Sequence, residues 1–174
     1  MSNYLIREAK KEDAEKVLRY IKIVGGQTNN LTFGSEGIDL TIDEEEKILE
    51  NIYNSDKSIF LLVCLEDDII GIGNISANSK NRMKHKAALG ISIKREYWGQ
   101  GIGQDLLTKL IKFSKQSGLE AIELRVRSDN ERAINLYNKF DFKKTGTIPL
   151  DMKIEGEYFD TDYMFLDLRS NYNL

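Results

Sequence analysis

The stretch Leu89-Gly-Ile-Ser-Ile-Lys-Arg-Glu-Tyr-Trp98-Gly-Gln-Gly101-Ile-Gly103-Gln-Asp-Leu-Leu107 lies near the middle of the 174-residue chain. Its apolar start predicts a strand, and the spacing of the apolar residues that follow predicts an amphipathic helix. Gly99, Gly101 and Gly103 join the two. Glycines let backbone N–H groups converge without a Cβ in the way, and the first turn of a helix adds unsatisfied donors and a favourable dipole. The loop is therefore predicted to bind a pyrophosphate.

Residues that other phosphate-binding loops require are missing around these glycines. No Gly-Lys-Ser/Thr follows, which disfavours a P-loop nucleotidase. A dinucleotide-binding fingerprint would need a glycine or alanine where the chain has Gln104 or Leu106. A tight strand-to-helix turn without a ligand is the alternative that the loop alone leaves open.

The segments on either side of this loop alternate between strand and helix patterns. Strands are predicted at residues 4–7, 58–65, 69–77, 87–93 and 121–127, with two more between 145 and 168, and helices at 11–23, 41–54, 105–117 and 128–140. We expect Gly25 and Gly26 to end the first helix, and Ser128-Asp-Asn-Glu131 to cap the last. This order predicts an α/β mixed (α+β) fold, with a mostly antiparallel mixed sheet of about seven strands and helices on both faces. Residues 1–174 contain no linker or repeat, so a single domain is expected.

Composition removes several classes of protein. The 25 basic and 28 acidic residues give a net charge of −3, which disfavours nucleic acid as a partner. One cysteine and one histidine allow neither an internal disulfide nor a thiolate or imidazole zinc site. No apolar run approaches the roughly 20 residues needed to cross a bilayer, and the start lacks a signal-peptide core. We expect a cytoplasmic protein without a metal, nucleic-acid or membrane partner.

Two motifs carry a resemblance to a known family. Trp98-Gly-Gln-Gly101-Ile-Gly103 resembles the Gln/Arg-x-x-Gly-x-Gly/Ala signature of the GNAT superfamily of acetyl-CoA-dependent N-acetyltransferases, with Trp98 at the Gln/Arg position. Asn130-Glu-Arg-Ala133-Ile-Asn-Leu-Tyr137-Asn-Lys-Phe-Asp-Phe142 is similar to the family's Asn-x-x-Ala-x-x-x-Tyr-x-x-x-Gly-Phe helix, with Asp141 where glycine is usual. The predicted order of elements agrees with the family along the whole chain.

The resemblance implies a function and a set of cosubstrate contacts. It implies transfer of an acetyl group from acetyl-CoA to a primary amine, such as a protein or peptide N-terminus or a small amine, by direct attack in a ternary complex. It also implies a bulge that separates the fourth strand from its neighbour. The residues implied to contact acetyl-CoA are Ile91, Ser92 and Ile93 on the strand, Trp98, Gly99, Gln100, Gly101, Ile102 and Gly103 in the loop, and Asn130 at the start of the last helix.

Tyr137 is the residue that the resemblance implies as general acid. A phenol has a pKa near 10, so it is protonated at neutral pH and can donate a proton to the departing thiolate. The alternative is a tyrosine that only packs in the core beside Phe140.

A general base is harder to assign. Glutamate occupies one of two positions in many family members, and here those positions hold Ala88 and Arg125. The remaining candidates are Glu36, Glu123 and His85. A mechanism without a dedicated base, in which ordered water takes the proton, also stays open.

The acceptor side is predicted to comprise the first helix, the loop at residues 27–39 and the C-terminal hairpin. Acidic residues in the loop and the hairpin would suit a cationic amine, or they are simply solvated. The pattern resembles the branch that acetylates ribosomal proteins and small amines. A non-catalytic acetyl-CoA-binding regulatory module is the alternative function, and a homodimer is also possible.

Overall fold

Residues 4–169 are described by a computed structural model, in which seven strands form one sheet of order β1-β2-β3-β4-β5-β7-β6. The strands are β1 (Leu5–Glu8), β2 (Ile59–Leu65), β3 (Asp68–Ala77), β4 (Lys86–Ile93), β5 (Ala121–Arg127), β6 (Lys143–Ile154) and β7 (Glu157–Asp167), and the helices are α1 (Ala14–Gln27), α2 (Ile42–Tyr53), α3 (Ile102–Gln116) and α4 (Glu131–Asn138). Among the strands of residues 4–169, only β4 and β5 pair in parallel. The predicted mixed, mostly antiparallel sheet is confirmed.

Helices cover both faces of the sheet. Alternate side chains of β2 divide between two hydrophobic cores, as the period of a strand requires. Leu61 and Val63 pack in the core that contains Leu106 of α3, whereas Leu62 packs in the core that contains Val17 of α1. One face therefore carries α3 and α4, and the other carries α1 and α2.

The first helix does not end at its two glycines, so that prediction is wrong. Helix α1 continues to Gln27, with Gly25 buried inside it. A Cβ on Gly25 would lie 2.0 Å from the carbonyl oxygen of Gly34. The glycine is needed because residues 28–40, the acceptor loop, fold back against the helix and leave no room for a side chain. A close approach, rather than a helix stop, explains this glycine.

Helix α3 begins three residues earlier than predicted. Gly101 is its N-cap, in a left-handed conformation with φ of 87°. Because glycine accepts this conformation without strain, the glycine loop runs directly into the first turn of the helix. The backbone dipole of α3 therefore begins at the loop itself.

Helix α4 is capped by Asn130 and not by Ser128, so the predicted capping box is wrong. The Asn130 side chain accepts a hydrogen bond from the backbone N–H of Ala133. Ser128 instead donates its hydroxyl to Asp162 of β7 at 2.7 Å. A tertiary partner has taken the serine away from the helix, and asparagine is an equally good cap.

Candidate active site

Strands β4 and β5 pair over only part of their length. Their register runs from Lys86 opposite Ala121 to Ala88 opposite Glu123, and no pairing follows. Yet β4 continues to Ile93 and β5 to Arg127. Residues 89–93 and 124–127 therefore border an opening through the sheet, which we call the cleft. The separation of these strands that the resemblance implied is present, but the implied bulge is not, because β4 pairs with β3 in unbroken register from Ala87 to Ile93.

The edge of β4 that faces the cleft offers free backbone groups. Lys94 donates its N–H to Ile70 of β3, and Asn78 donates to Lys86, so the even-numbered residues of β4 bond to β3. Because these groups alternate along a strand, the N–H and C=O of Ile91 point towards the cleft. An extended ligand can pair with this edge as an added strand would.

The glycine loop lies where β4 ends. Gly99 has φ of 77° and Gly101 has φ of 87°, and a Cβ on either would project into open space. The hydrogen-bond ladder of α3 begins when Gln104 donates to the carbonyl of Gly101 at 2.9 Å. The N–H groups of Gly101, Ile102 and Gly103 consequently have no backbone acceptor within residues 4–169. These donors form a cradle for an anion.

Gly103 has a different purpose from the other two glycines. A Cβ on Gly103 would lie 2.9 Å from the Cδ2 atom of Leu136 on α4. Without a Cβ at this position, the first turn of α3 packs closely against Leu136 of α4. This packing brings Asn130, the N-cap of α4, to the same end of the sheet as the glycine loop.

Trp98 anchors the loop, and two arginines flank its ring. Its indole Nε1 donates to the carbonyl of Ile93 at 2.7 Å, which ties the loop to the end of β4. The guanidinium carbon of Arg132 lies 4.5 Å from the centre of the ring, and that of Arg95 lies 5.5 Å away. Arg132 has no ion-pair partner within the described residues, so it adds an unneutralised charge beside the cradle.

Tyr137 is buried in the core between the sheet and α3. Its side chain is 8% exposed, and its ring centre lies 5.7 Å from that of Phe142. Burial raises the pKa of Tyr137 to about 12. The phenol is therefore protonated across the physiological range. The packing fits the core role considered for Tyr137, and the protonated hydroxyl fits the role of an acid.

The three candidate bases lie apart from one another. Glu36 accepts the N–H of Gly34 at 2.7 Å, and this hydrogen bond lowers the pKa of its carboxyl group. Glu123 accepts from the ammonium of Lys86 at 2.6 Å, where the pairing of β4 with β5 ends. His85 precedes β4, so it lies roughly 25 Å along the strand from the glycine loop. The roles of all three stay predictions.

One side of the cleft opens on the face that carries α1, which we call the acceptor face. Ile122, Leu124 and Val126 of β5 pack in the core beneath α3. Their neighbours Glu123, Arg125 and Arg127 therefore point to the acceptor face. On the same face, the side chain of Ser92 lies 3.1 Å from the hydroxyl of Tyr20 on α1.

Arg127 fixes the acceptor loop, a role that the sequence analysis missed. Its buried guanidinium donates to both carboxylate oxygens of Asp129 at 2.9 and 2.6 Å, and to the carbonyl of Asn29 at 2.9 Å. It also lies 3.7 Å over the ring of Phe159. The Arg-x-Asp spacing was the one local signal for this ion pair, and the contact with Asn29 crosses 98 positions.

The acids of the C-terminal hairpin are mostly engaged. Asp151 accepts from the hydroxyl of Thr161 at 2.5 Å and from Arg125 at 3.2 Å. Asp162 forms an ion pair with Lys144 at 2.9 Å. Arg125 and Lys144 therefore neutralise two of the acids that favoured a cationic amine in the sequence analysis.

No group of three or more His, Cys, Asp or Glu side chains within residues 4–169 could hold a metal ion. In the same part of the chain, no helix is long and apolar enough to cross a membrane.

Comparisons with known proteins agree with this geometry. The L-amino acid N-acetyltransferase AaaT of Escherichia coli K12 is 30% identical over 105 residues, which are 60% of this chain and 65% of that protein. The crystal structure of a GNAT-family acetyltransferase from Streptococcus pneumoniae is 34% identical, covers 95% of this chain and 99% of its own, and has a TM-score of 0.91. A protein from Salmonella typhimurium, solved with its cofactor acetyl-CoA, shares the fold at 19% identity and a TM-score of 0.83, over 96% of this chain and 95% of its own. The model of the acetyltransferase (GNAT) family matches residues 28–142, and the chain belongs to this family.

Proposed function

We propose that this chain transfers an acetyl group from acetyl-CoA to a primary amine. The observation that carries the proposal is the early end of the β4–β5 pairing directly before the glycine loop. It provides a free strand edge for an extended amide chain and, next to it, backbone donors for phosphates. Acetyl-CoA has those two parts in that order, whereas a simple nucleotide lacks the extended arm.

In this proposal the pantetheine arm pairs with Ile91 along the cleft, and the pyrophosphate lies over the loop at residues 99–103. The cradle is formed by backbone donors at the N-terminus of α3, where the helix dipole favours negative charge. The side-chain oxygen of Asn130 caps α4, so its side-chain NH2 group is available for a contact with the cosubstrate.

Arg132 takes over the contact that the family signature assigns to its first residue. Trp98 cannot donate to a phosphate, because its Nε1 is bonded to the carbonyl of Ile93. Its ring instead supports the Arg132 guanidinium, 4.5 Å away. An arginine on this platform keeps all five donors for an anion, and a guanidinium suits phosphate geometry.

The reaction needs an unprotonated amine, a polarised thioester and a proton for sulfur. The amine nitrogen attacks the carbonyl carbon of the thioester and forms the C–N bond, and the C–S bond then breaks. Tyr137 donates its phenolic proton to the departing thiolate and later regains one from solvent. The proton that the amine loses passes to water, because Ala88 and Arg125 offer no base at the usual positions.

A panel of ligands tests the cosubstrate, and an assay of thiol release tests the reaction. Acetyl-CoA and CoA should raise the melting temperature, whereas ATP and NAD should leave it unchanged. Free thiol should appear from acetyl-CoA only when a primary amine is added. Stabilisation by ATP or NAD and not by acetyl-CoA would contradict the proposal.

The missing glutamates favour a second candidate, a regulatory module that binds acetyl-CoA without turnover. Ala88 and Arg125 are the observation behind it. If acetyl-CoA stabilises the protein but releases no free thiol with any amine tested, this alternative is supported.

A further inference from the structure

Arg125 is an exposed arginine beside the cleft. Its side chain is 53% exposed and projects from β5 two residues beyond the last pairing with β4. The guanidinium lies 5.6 Å from the ring centre of Tyr163, its cross-strand neighbour on β7. Packing on this ring holds a long side chain in place above the acceptor face.

Most of the donors of Arg125 are unused. Its NH1 group reaches the carboxylate of Asp151 at 3.2 and 3.3 Å. The Nε and NH2 groups have no hydrogen-bond partner within the described residues. Asp151 is held more closely by Thr161, at 2.5 Å, and only 21% of its side chain is exposed. Arg125 is therefore the accessible member of this pair, with donors that face solvent.

The position of Arg125 relative to the reaction follows from the two faces of the cleft. The glycine loop and α3 bring acetyl-CoA in from the face that carries α3. The amine must then approach the thioester from the acceptor face, where Ala88 and Arg125 are exposed. The unused donors of Arg125 at this point can bind an anion on the acceptor.

We propose that the acceptor is an amine that also bears a carboxylate, such as an α-amino acid, and that Arg125 binds this carboxylate. This inference rests on the proposed acetyl transfer. A guanidinium forms paired hydrogen bonds with a carboxylate, and Arg125 has both an Nε and an NH2 donor for them. A polyamine has no anion for these donors.

Matched acceptors test the inference. The 174-residue chain is assayed with each standard L-amino acid that has a primary amine and with the corresponding carboxamide. Spermidine serves as an acceptor without a carboxylate. Rates are expressed per unprotonated amine, since the amide has a lower amine pKa. For the best side chain, kcat/KM for the acid should exceed that for the amide by about 10- to 100-fold, as expected for a charge-assisted hydrogen bond.

Two variants separate recognition from structure. Arg125→Gln should remove the preference for the acid by raising its KM, while the rate with the amide changes little. Asp151→Asn removes the ion-pair partner and keeps the guanidinium, so it should retain the preference. Arg19→Gln, at an exposed ion pair on α1, controls for the loss of a surface charge. Equal melting temperatures with acetyl-CoA bound establish that each variant is folded.

Three results would overturn the inference. In the first, amides or spermidine react with the same kcat/KM as the acids. In the second, Arg125→Gln retains the preference for the acid. In the third, Asp151→Asn loses that preference to the same extent as Arg125→Gln, which would make the role of the ion pair structural. Each of these leaves acetyl transfer intact. Release of thiol when no amine has been added would instead contradict the proposed function, so the two failures are distinguishable.

Discussion

The two sides of the cleft are constructed differently. The cosubstrate side is mostly backbone: the free edge of β4, the glycine loop and the first turn of α3 follow one another within residues 89–105. The acceptor side is made of side chains from distant segments, such as Arg127 of β5, which donates to Asn29 of the acceptor loop and packs on Phe159 of β7.

This difference separates a general function from a specific one. A ligand held by backbone donors places few demands on side chains, so Trp98 can replace Gln or Arg without loss of the cradle. An acceptor bound by side chains is recognised by individual residues, so under the proposed role of Arg125 an arginine in place of a glutamate should change which amine binds. Substitutions on the first side should alter acetyl-CoA affinity, and those on the second should alter the choice of acceptor.

The largest effect is expected at Tyr137, whose substitution should slow the chemical step without weakening the binding of acetyl-CoA or of the acceptor. Tyr137→Phe keeps the ring against Phe142 and removes only the hydroxyl. Turnover should fall by about 10²- to 10⁴-fold, with acetyl-CoA affinity unchanged. Steady-state rates and a binding titration measure the two effects.

Tyr53→Phe is the matched control, because Tyr53 is exposed on α2. It should behave like the parent. Full turnover in Tyr137→Phe would instead make Tyr137 a core residue alone.

The next effect concerns the cradle. Gly101→Val adds a branched side chain beside the phosphate donors and should weaken acetyl-CoA binding by about 100-fold, through the loss of charge-assisted hydrogen bonds. Gly118→Val is its matched control, since Gly118 also has a positive φ, 71°, and open space around it, but lies at the other end of α3. Both variants should lose some thermal stability, because valine is strained at positive φ.

A titration with acetyl-CoA separates the two glycine variants. Only Gly101→Val should lose the stabilisation that the ligand provides. Equal responses from both variants would mean that the phosphates lie elsewhere.

The pH dependence of the rate tests whether the acceptor side supplies a general base and whether Tyr137 limits the reaction. Without a protein base, the rate at saturating acetyl-CoA and low acceptor should rise about tenfold per pH unit towards the pKa of the amine. Tyr137 imposes no fall in rate at neutral or mildly alkaline pH, since burial raises its pKa to about 12. A plateau near pH 7 that Glu36→Gln, Glu123→Gln or His85→Ala abolishes would identify a base and contradict this prediction.

The sequence predicted the strand, loop and helix of the proposed cosubstrate side because their signals are local. Strand β5 was predicted at its observed bounds, and the glycines mark the loop in any fold that places them between β4 and α3. The early end of the β4–β5 pairing left no local signal, because apolar residues continue through Ile93 whether or not a neighbour is present.

The acceptor side could not be predicted in the same way. Gly25 looked like a helix stop because its close contact with Gly34 depends on how the acceptor loop folds back. Ser128 looked like a cap because its partner, Asp162, lies 34 positions away. Arg125 and Arg127 differ only in what surrounds them: one is exposed with unused donors, and the other is buried with its donors bonded. Such differences arise from tertiary contacts.

The smallest effect is expected at Arg132, where a side chain supplements the backbone cradle. Arg132→Gln removes one exposed cation and keeps a polar residue of similar length on α4. If its guanidinium binds a phosphate of acetyl-CoA, affinity should fall by about tenfold and become less sensitive to salt, because one charged contact is lost.

Arg82→Gln is the control, since it removes a cation from the loop between β3 and β4 without affecting the glycine loop. Trp98→Leu tests the platform itself: it removes both the ring under Arg132 and the bond to Ile93, so affinity should fall at least as far as in Arg132→Gln. In the double variant the two losses should be less than additive, because the guanidinium has already lost its support. Fully additive losses would mean that Trp98 and Arg132 act independently, and an unchanged salt dependence in Arg132→Gln would mean that the backbone alone binds the phosphates.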